Sequence, residues 1–277
     1  KILKIKNEII IPNTTDKPFF KEIKFPHING SFIASLYPLY GENNEVEGGV
    51  YLFSDVSALK KAEEAAIAHL KEKEKLNFEW QEIFEGVVKL TSAAIDAKSE
   101  WTAGHSERVA FYSSKIAKRM NFSDEWLDTI KLCSALHDLG KIAISDSILN
   151  KPTPLLTEEY EEIKKHPLIG AKILGLLPQF KKILPGVKYH HERYDGKGYP
   201  YGLRGKEIPI DARIICVADS FDAMVSERPY KSSLSIVHAI DEIKKLAGKQ
   251  FDPEIVKHFI EIIHEELAVK NEVTQGY

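Results

Sequence analysis

The sequence predicts a mainly α chain: an all-helical domain over residues 86–277, preceded by a small α+β segment at 1–55 and a connecting helix at 56–85. Three observations carry that reading. Beyond Gly86, apolar residues recur at spacings of three and four through VVKLTSAAIDAK, ERVAFYSSKIAKRM, EWLDTIKLCSALHDL and LSIVHAIDEIKKLAG, the period of helices with one buried face. Before Asp55 the period is closer to two, and turn residues punctuate it. Between them, ALKKAEEAAIAHLKEKEKLNFEWQEIF contains neither Gly nor Pro.

Taken in order, GSFIASLYPLY and VYLFSDV flank the turn cluster GENNEVEGG, which predicts a hairpin. Ser57 is a candidate cap for the helix that follows. Leu59, Ala62, Ala66, His69, Lys73, Leu76, Trp80, Ile83, Val87 and Leu90 keep alternating spacings of three and four, a heptad seam made polar by His69 and Lys73. Two readings stand for it: a solvated connector, or a parallel coil that makes the chain a homodimer. Polar loops, ISDSILNKPTPLLT and YDGKGYPYGLRGKEIPI, then divide the helices of the large domain.

Bulk properties narrow the partners. A net charge of −3 gives no global field for DNA or anionic lipid, so a polyanionic substrate must be held by local cations. Cys133 and Cys216 lie in apolar runs and read as buried thiols. No run approaches 18 apolar residues, so no membrane span is expected, and no signal peptide is evident. The start at Lys1 without methionine points to a trimmed chain. A cytoplasmic, reducing setting fits these features.

The informative side chains sit at helix ends. His105 opens a helix, His137 and Asp138 follow LCSAL, His166 precedes Pro167, His190 and His191 are adjacent, and Asp219 interrupts the apolar run IICVADSFDAM. Any one of these alone reads as structural. A carboxylate in Asp219's apolar setting, however, must be paired or bound to a metal. Five imidazoles and two carboxylates on separate helix ends converge if the helices form one bundle, where such sites are commonly built. Mixed His/Asp ligands suit iron, manganese or zinc, and the lack of spaced thiolates argues against a structural zinc ribbon.

The ordered blocks GHSERVA, HDLGKI, KKHPLIGAKIL, HHERYDGKGYP and ADSFDAMVSERPYK resemble the HD-GYP family of metal-dependent phosphodiesterases, over residues from about Glu85 onward. The resemblance implies an HD-domain helical fold and cleavage of cyclic di-GMP to pGpG, in some members onward to GMP. It assigns metal ligation to His105, His137, Asp138, His166, His190, His191 and Asp219, with His137 and Asp138 central to catalysis. Lys141, four residues after His137 and so one helical turn on, is implied to contact the scissile phosphate. Arg228 and Lys231 match positions that hold the substrate phosphates.

Where relatives often carry proline, this chain has Glu100, an extra carboxylate that would make the site trinuclear. The plainer reading is a surface glutamate favoured by a helix dipole. Two or three ions are therefore expected, iron first and manganese second. The Gly198-Tyr199-Pro200 loop is read as positioning the twin histidines, or as a contact for a diguanylate cyclase or effector protein. SLYPLYGENNEVEGG followed by VYLFSDVSALKKAEEA resembles the closing hairpin and exit helix of a PAS-type sensor, so residues 1–55 read as a partial sensor segment, and His27 is read as structural. Competing readings are an HD-domain hydrolase of another nucleotide, a non-catalytic cyclic di-GMP binding module, and an iron oxygenase on the same scaffold.

Overall fold

A computed structural model describes residues 19–25, 28–99, 103–226 and 233–275. The chain divides into two compact units, residues 1–81 and 82–277.

The first unit holds an antiparallel sheet in the order β1 (Phe19–Phe25), β2 (Ile28–Tyr40), β3 (Val46–Asp55). The expected hairpin is β2 and β3, closed by a turn in which Asn44 takes φ 62° and Gly41 N–H donates to the Glu45 carbonyl at 2.8 Å. Ile23 faces Phe32 and Phe19 faces Leu36 across the added strand β1, and Ile23, Ala34 and Leu36 are buried.

Helix α1 (Ser57–Asp96) follows at once. The expected cap at Ser57 is displaced: Asp55 Oδ1 accepts the Ser57 amide at 2.9 Å, and the Ser57 hydroxyl accepts from the Ser31 amide at 2.8 Å. The carboxylate, the stronger acceptor, takes the helix amide. Gly86 lies inside this helix. A Cβ there would meet nothing within 4 Å, so its cost is only the roughly 1 kcal/mol of lost helix propensity.

The second unit is helical: α2 (His105–Arg119), α3 (Asp124–Leu136), α4 (Asp146–Leu149), α5 (Thr157–Ile163), α6 (His166–Leu174), α7 (Leu184–Tyr189), α8 (Ile210–Val225), α9 (Ile236–Lys245) and α10 (Pro253–Gln275). Helix α8 is the centre of the core, with Ile214, Ile215, Val217 and Phe221 at 1% exposure or less. Tyr112 of α2, Phe221 of α8 and Phe259 of α10 pack edge to face with centroids 4.9–5.9 Å apart. That aromatic knot sets α2 against α8, and the site is built from those two helices and the ends of α3, α6 and α7. Both cysteines are free and buried. No helix among the described residues is long and apolar enough to cross a membrane.

Candidate metal centre

The last carbonyls of a helix have no intrahelical amide to bind. His137, His166 and His190 each use one. Their Nδ1 atoms lie 2.6, 2.7 and 2.7 Å from the carbonyls of Ser134, Ile163 and Val187, three residues earlier near the ends of α3, α5 and α7. A carbonyl only accepts, so Nδ1 carries the proton and Nε2 presents a lone pair. A histidine just past a helix end is thereby aimed outward by its own helix. His105 opens α2 and has no such carbonyl behind it. Its Nδ1 lies instead 2.7 Å from Asp222 Oδ2.

The freed Nε2 atoms converge on Asp138. His166 Nε2 is 3.2 Å from Asp138 Oδ1, while His137 and His105 Nε2 are 3.5 and 3.7 Å from Oδ2. Asp219 Oδ1, from α8, lies 3.3 Å from His105 Nε2. Two groups result, His166–His190–His191 and His105–His137–Asp138, each with one ligand atom per residue inside a 4.8 Å span. The Asp138 carboxylate turns one oxygen to each group.

The contacts of His137, His166 and His190 lack the protons that would make them hydrogen bonds. His166 and His190 Nε2 are 3.2 Å apart, yet both rings have spent their protons on backbone carbonyls. His166 Nε2 faces Asp138 Oδ1 in the same way, and His137 Nε2 and Asp138 Oδ1 are buried without a hydrogen-bond partner. Buried lone pairs directed at one another are relieved by a proton or a metal cation between them. The donor set, imidazole nitrogen with carboxylate oxygen, fits a borderline divalent metal.

The electrostatics agree. Burial alone would lower the His105 pKa, but the Asp219 and Asp222 carboxylates outweigh it and raise it to about 10. Burial holds His137 and His190 below the usual imidazole range, and burial together with His166 pushes His191 down to about 3. Burial would raise Asp138 and Asp219. The Lys141 ammonium, with the His137 and His166 rings beside it, keeps Asp138 well below the usual carboxylate range, and His105 lowers Asp219. The pocket thus keeps its acids ionised, most of its imidazoles neutral, and one proton on His105.

The supporting loops are specific. After α3 the chain does not continue as α-helix but tightens into a 3₁₀ turn, Leu139–Ala143. The expected one-turn relation of Lys141 to His137 is therefore replaced by an i,i+3 relation to Asp138, whose Oδ2 lies 2.5 Å from Lys141 Nζ. Lys98 pins this turn by donating to the carbonyls of Lys141, Ile142 and Ile144 at 3.1, 2.9 and 2.5 Å. A side chain at Gly140 would collide with the His166 carbonyl oxygen, so glycine is what lets the His137–Asp138 turn reach α6.

Beyond the twin histidines, Glu192 is buried and accepts the amides of Tyr201 and Leu203 at 2.7 and 3.1 Å, folding the loop back. A Cβ at Gly198 would strike the Arg193 amide and the His191 carbonyl. The Tyr199 ring stacks on His191 with centroids 4.8 Å apart and planes 29° apart.

Of the expected site residues, His105, His137, Asp138, Lys141, His166, His190, His191 and Asp219 come together. Glu100, Arg228 and Lys231 lie outside the described residues, as does His27. Asp222, Arg108 and Glu192 were missed. Asp222 was within reach, because the reasoning that a carboxylate in IICVADSFDAM needs a partner applies to it as well as to Asp219.

A family model described as HD domain matches residues 89–255. A cyclic di-GMP phosphodiesterase of Thermotoga maritima is 40% identical over 201 residues, 72% of this chain and 53% of that protein. The cyclic di-GMP phosphodiesterase response regulator RpfG of Xanthomonas campestris pv. campestris is 41% identical over 59% of this chain and 44% of its own length. The 3′3′-cGAMP-specific phosphodiesterase 3 of Vibrio cholerae is 39% identical over 61% of this chain and 37% of its own. The chain thus spans about half or less of the length of these curated relatives. A solved structure of a cyclic GMP-AMP specific phosphodiesterase from V. cholerae shares the fold, with a TM-score of 0.52 at 20% identity over 64% of this chain and 48% of that one.

Proposed function

The chain belongs to the HD-domain family, in its HD-GYP branch, and we propose that it hydrolyses a phosphodiester bond of cyclic di-GMP to give pGpG, continuing to GMP. The observation that carries this reading is the set of opposed, proton-free lone pairs around Asp138, which suits two metal ions sharing one carboxylate. His105, His137, Asp138 and Asp219 would hold one ion, and His166, His190, His191 and Asp138 the other. Such ions lower the pKa of water and neutralise phosphoryl oxygens.

The chain's own residues do the rest. The backbone carbonyls fix the imidazoles before substrate arrives, so little reorganisation accompanies the reaction. Lys141, partly exposed beside Asp138, offers its ammonium to the scissile phosphate once the carboxylate is engaged by the ions. Arg228 and Lys231 are assigned to the substrate phosphates, Glu100 to a third ion, and iron, then manganese, as the metal. These assignments rest on the HD-GYP resemblance. Buried free Cys133 and Cys216 suit a reducing cytoplasm.

The test is to load the anaerobically purified chain with Fe²⁺ or Mn²⁺, measure its metal content, and resolve the products of cyclic di-GMP and of 3′3′-cGAMP by chromatography. pGpG appearing first from cyclic di-GMP is expected. A faster 3′3′-cGAMP reaction would move the substrate to the mixed dinucleotide. A fully loaded chain that cleaves neither would overturn the reading.

The exposed apolar positions of the α1 seam favour the dimeric alternative. Leu59, Leu76, Trp80, Ile83, Val87 and Leu90 are 49–71% exposed at heptad spacing. Residues 1–55 are then an input segment acting through that helix. Light scattering should report twice the 31.4 kDa chain mass; a monomer at micromolar concentration would sink the coil.

A further inference from the structure

Three of the four tethered histidines are held by backbone carbonyls, which mutation cannot remove. His105 is held by a side chain. Asp222 is 1% exposed, three residues after Asp219 on α8, and its Oδ2 lies 2.7 Å from His105 Nδ1. The same carboxylate takes a fork from Arg108, Nε to Oδ1 at 2.5 Å and Nη2 to Oδ2 at 3.0 Å. Arg108 stands one turn beyond His105 on α2, and it also donates to the Ala103 carbonyl and the Ser226 hydroxyl at 2.9 and 3.2 Å.

A bidentate Arg–Asp pair is already satisfied and needs no third member. Here the pair is turned so that one oxygen also receives the imidazole. That contact fixes ring orientation and keeps a proton on Nδ1, so that a metal ion displacing the Nε2 proton meets a lone pair aimed at Asp138 and Asp219. An ionised acceptor draws the Nδ1 proton more strongly than a carbonyl does, which makes the imidazole a more basic ligand.

We propose that Asp222, with Arg108 holding its carboxylate, is the positioning residue for His105, so that one of the centre's ions depends on it for retention. This rests on the metal-centre reading. Asp222→Asn is a sharp probe. Arg108 and His105 present three N–H groups to this side chain, and an amide offers one acceptor oxygen in place of two. Either the imidazole or the guanidinium loses its partner.

The experiment titrates the full metal-free chain with Zn²⁺ against a chromophoric chelator, for the wild type, Asp222→Asn and Arg108→Met. Asp222→Asn should weaken one class of site roughly 10- to 100-fold and leave the other unchanged. Arg108→Met keeps the His105 tether and should weaken it less. In the Zn²⁺-loaded, ¹⁵N-histidine-labelled chain, the downfield His105 Nδ1–H signal, assigned by its loss in His105→Ala, should persist in Arg108→Met and vanish in Asp222→Asn.

Equal affinities for the wild type and Asp222→Asn would overturn the inference. So would matched losses of melting temperature in both variants with the Nδ1–H signal retained, since that is a salt bridge between α2 and α8 and nothing more. If Asp222→Asn does not fold, a wild-type His105 signal showing Nε2–H would overturn it alone. A wild type that binds no Zn²⁺ would fail the metal-centre reading itself.

Discussion

Asp138→Asn should lower turnover of the loaded chain about a thousandfold or more while leaving its helical content intact. Asparagine matches aspartate in volume, so packing around a side chain only 4% exposed is kept. What changes is charge and donor pattern. Asp138 turns an oxygen to each imidazole group, Oδ1 3.2 Å from His166 Nε2 and Oδ2 3.5 Å from His137 Nε2. An amide replaces one of those oxygens by NH₂, which can donate to an imidazole lone pair but cannot ligate a cation.

Two ions would then share a site that has lost the carboxylate common to both imidazole groups. Metal assistance contributes several kcal/mol to phosphoryl transfer, and about 4 kcal/mol is a thousandfold in rate. Steady-state hydrolysis, elemental analysis and far-UV circular dichroism together check the result. Substoichiometric metal with a native spectrum is expected. A variant that keeps its full metal complement and turns over within tenfold of the wild type would remove Asp138 from the centre.

The parts of the site legible in the sequence were those that local chemistry alone places. His137, His166 and His190 sit just past helical runs, and a helix end both exposes its carbonyls and aims the histidine that binds one. Asp219 was readable because an apolar run cannot leave a carboxylate unpartnered. Arg108 was not, because its partner lies 114 residues away across the core, and an arginine on a helix is ordinarily solvated.

Gly140 and Gly198 carried no signal of their own. Their value comes from close backbone approach, which exists only once α6 and the histidine loop are in place. The third strand was hidden by Lys21–Glu22, which break the period-two pattern of Phe19–Phe25. Helix α1 runs through Gly86 because the surrounding turn is solvent-exposed, where glycine costs only its lost helix propensity.

Apparent metal affinity should rise about tenfold per pH unit between pH 6.5 and 9. His105 in the metal-free chain holds its proton up to about 10, because Asp219 and Asp222 outweigh its burial. A metal ion must displace that proton to reach Nε2. His137, His190 and His191 are held neutral by burial and give up nothing. One proton is therefore released per centre, and binding tightens with pH in proportion.

The stability of the metal-free chain runs differently on the two sides of the ordinary imidazole value of 6.5. A raised pKa contributes stability that is fully present below 6.5 and is lost as pH climbs through 10; this is His105. A lowered pKa contributes stability present above 6.5 and lost as pH falls toward the folded value, about 3 for His191, with His137 and His190 acting in the same direction. Three imidazoles, together with the lowered Asp138 and Asp219 carboxylates, work on the acid side, and His105 works on the alkaline side. The melting temperature of the metal-free chain should thus peak near neutrality and fall faster toward acid, while the increment gained on adding Mn²⁺ grows with pH. Calorimetric titration in buffers of different ionisation enthalpy counts the proton directly. An affinity that stays flat from pH 6.5 to 9 would mean that His105 is already neutral, and that the carboxylates around it do not act as the anionic half of a metal site.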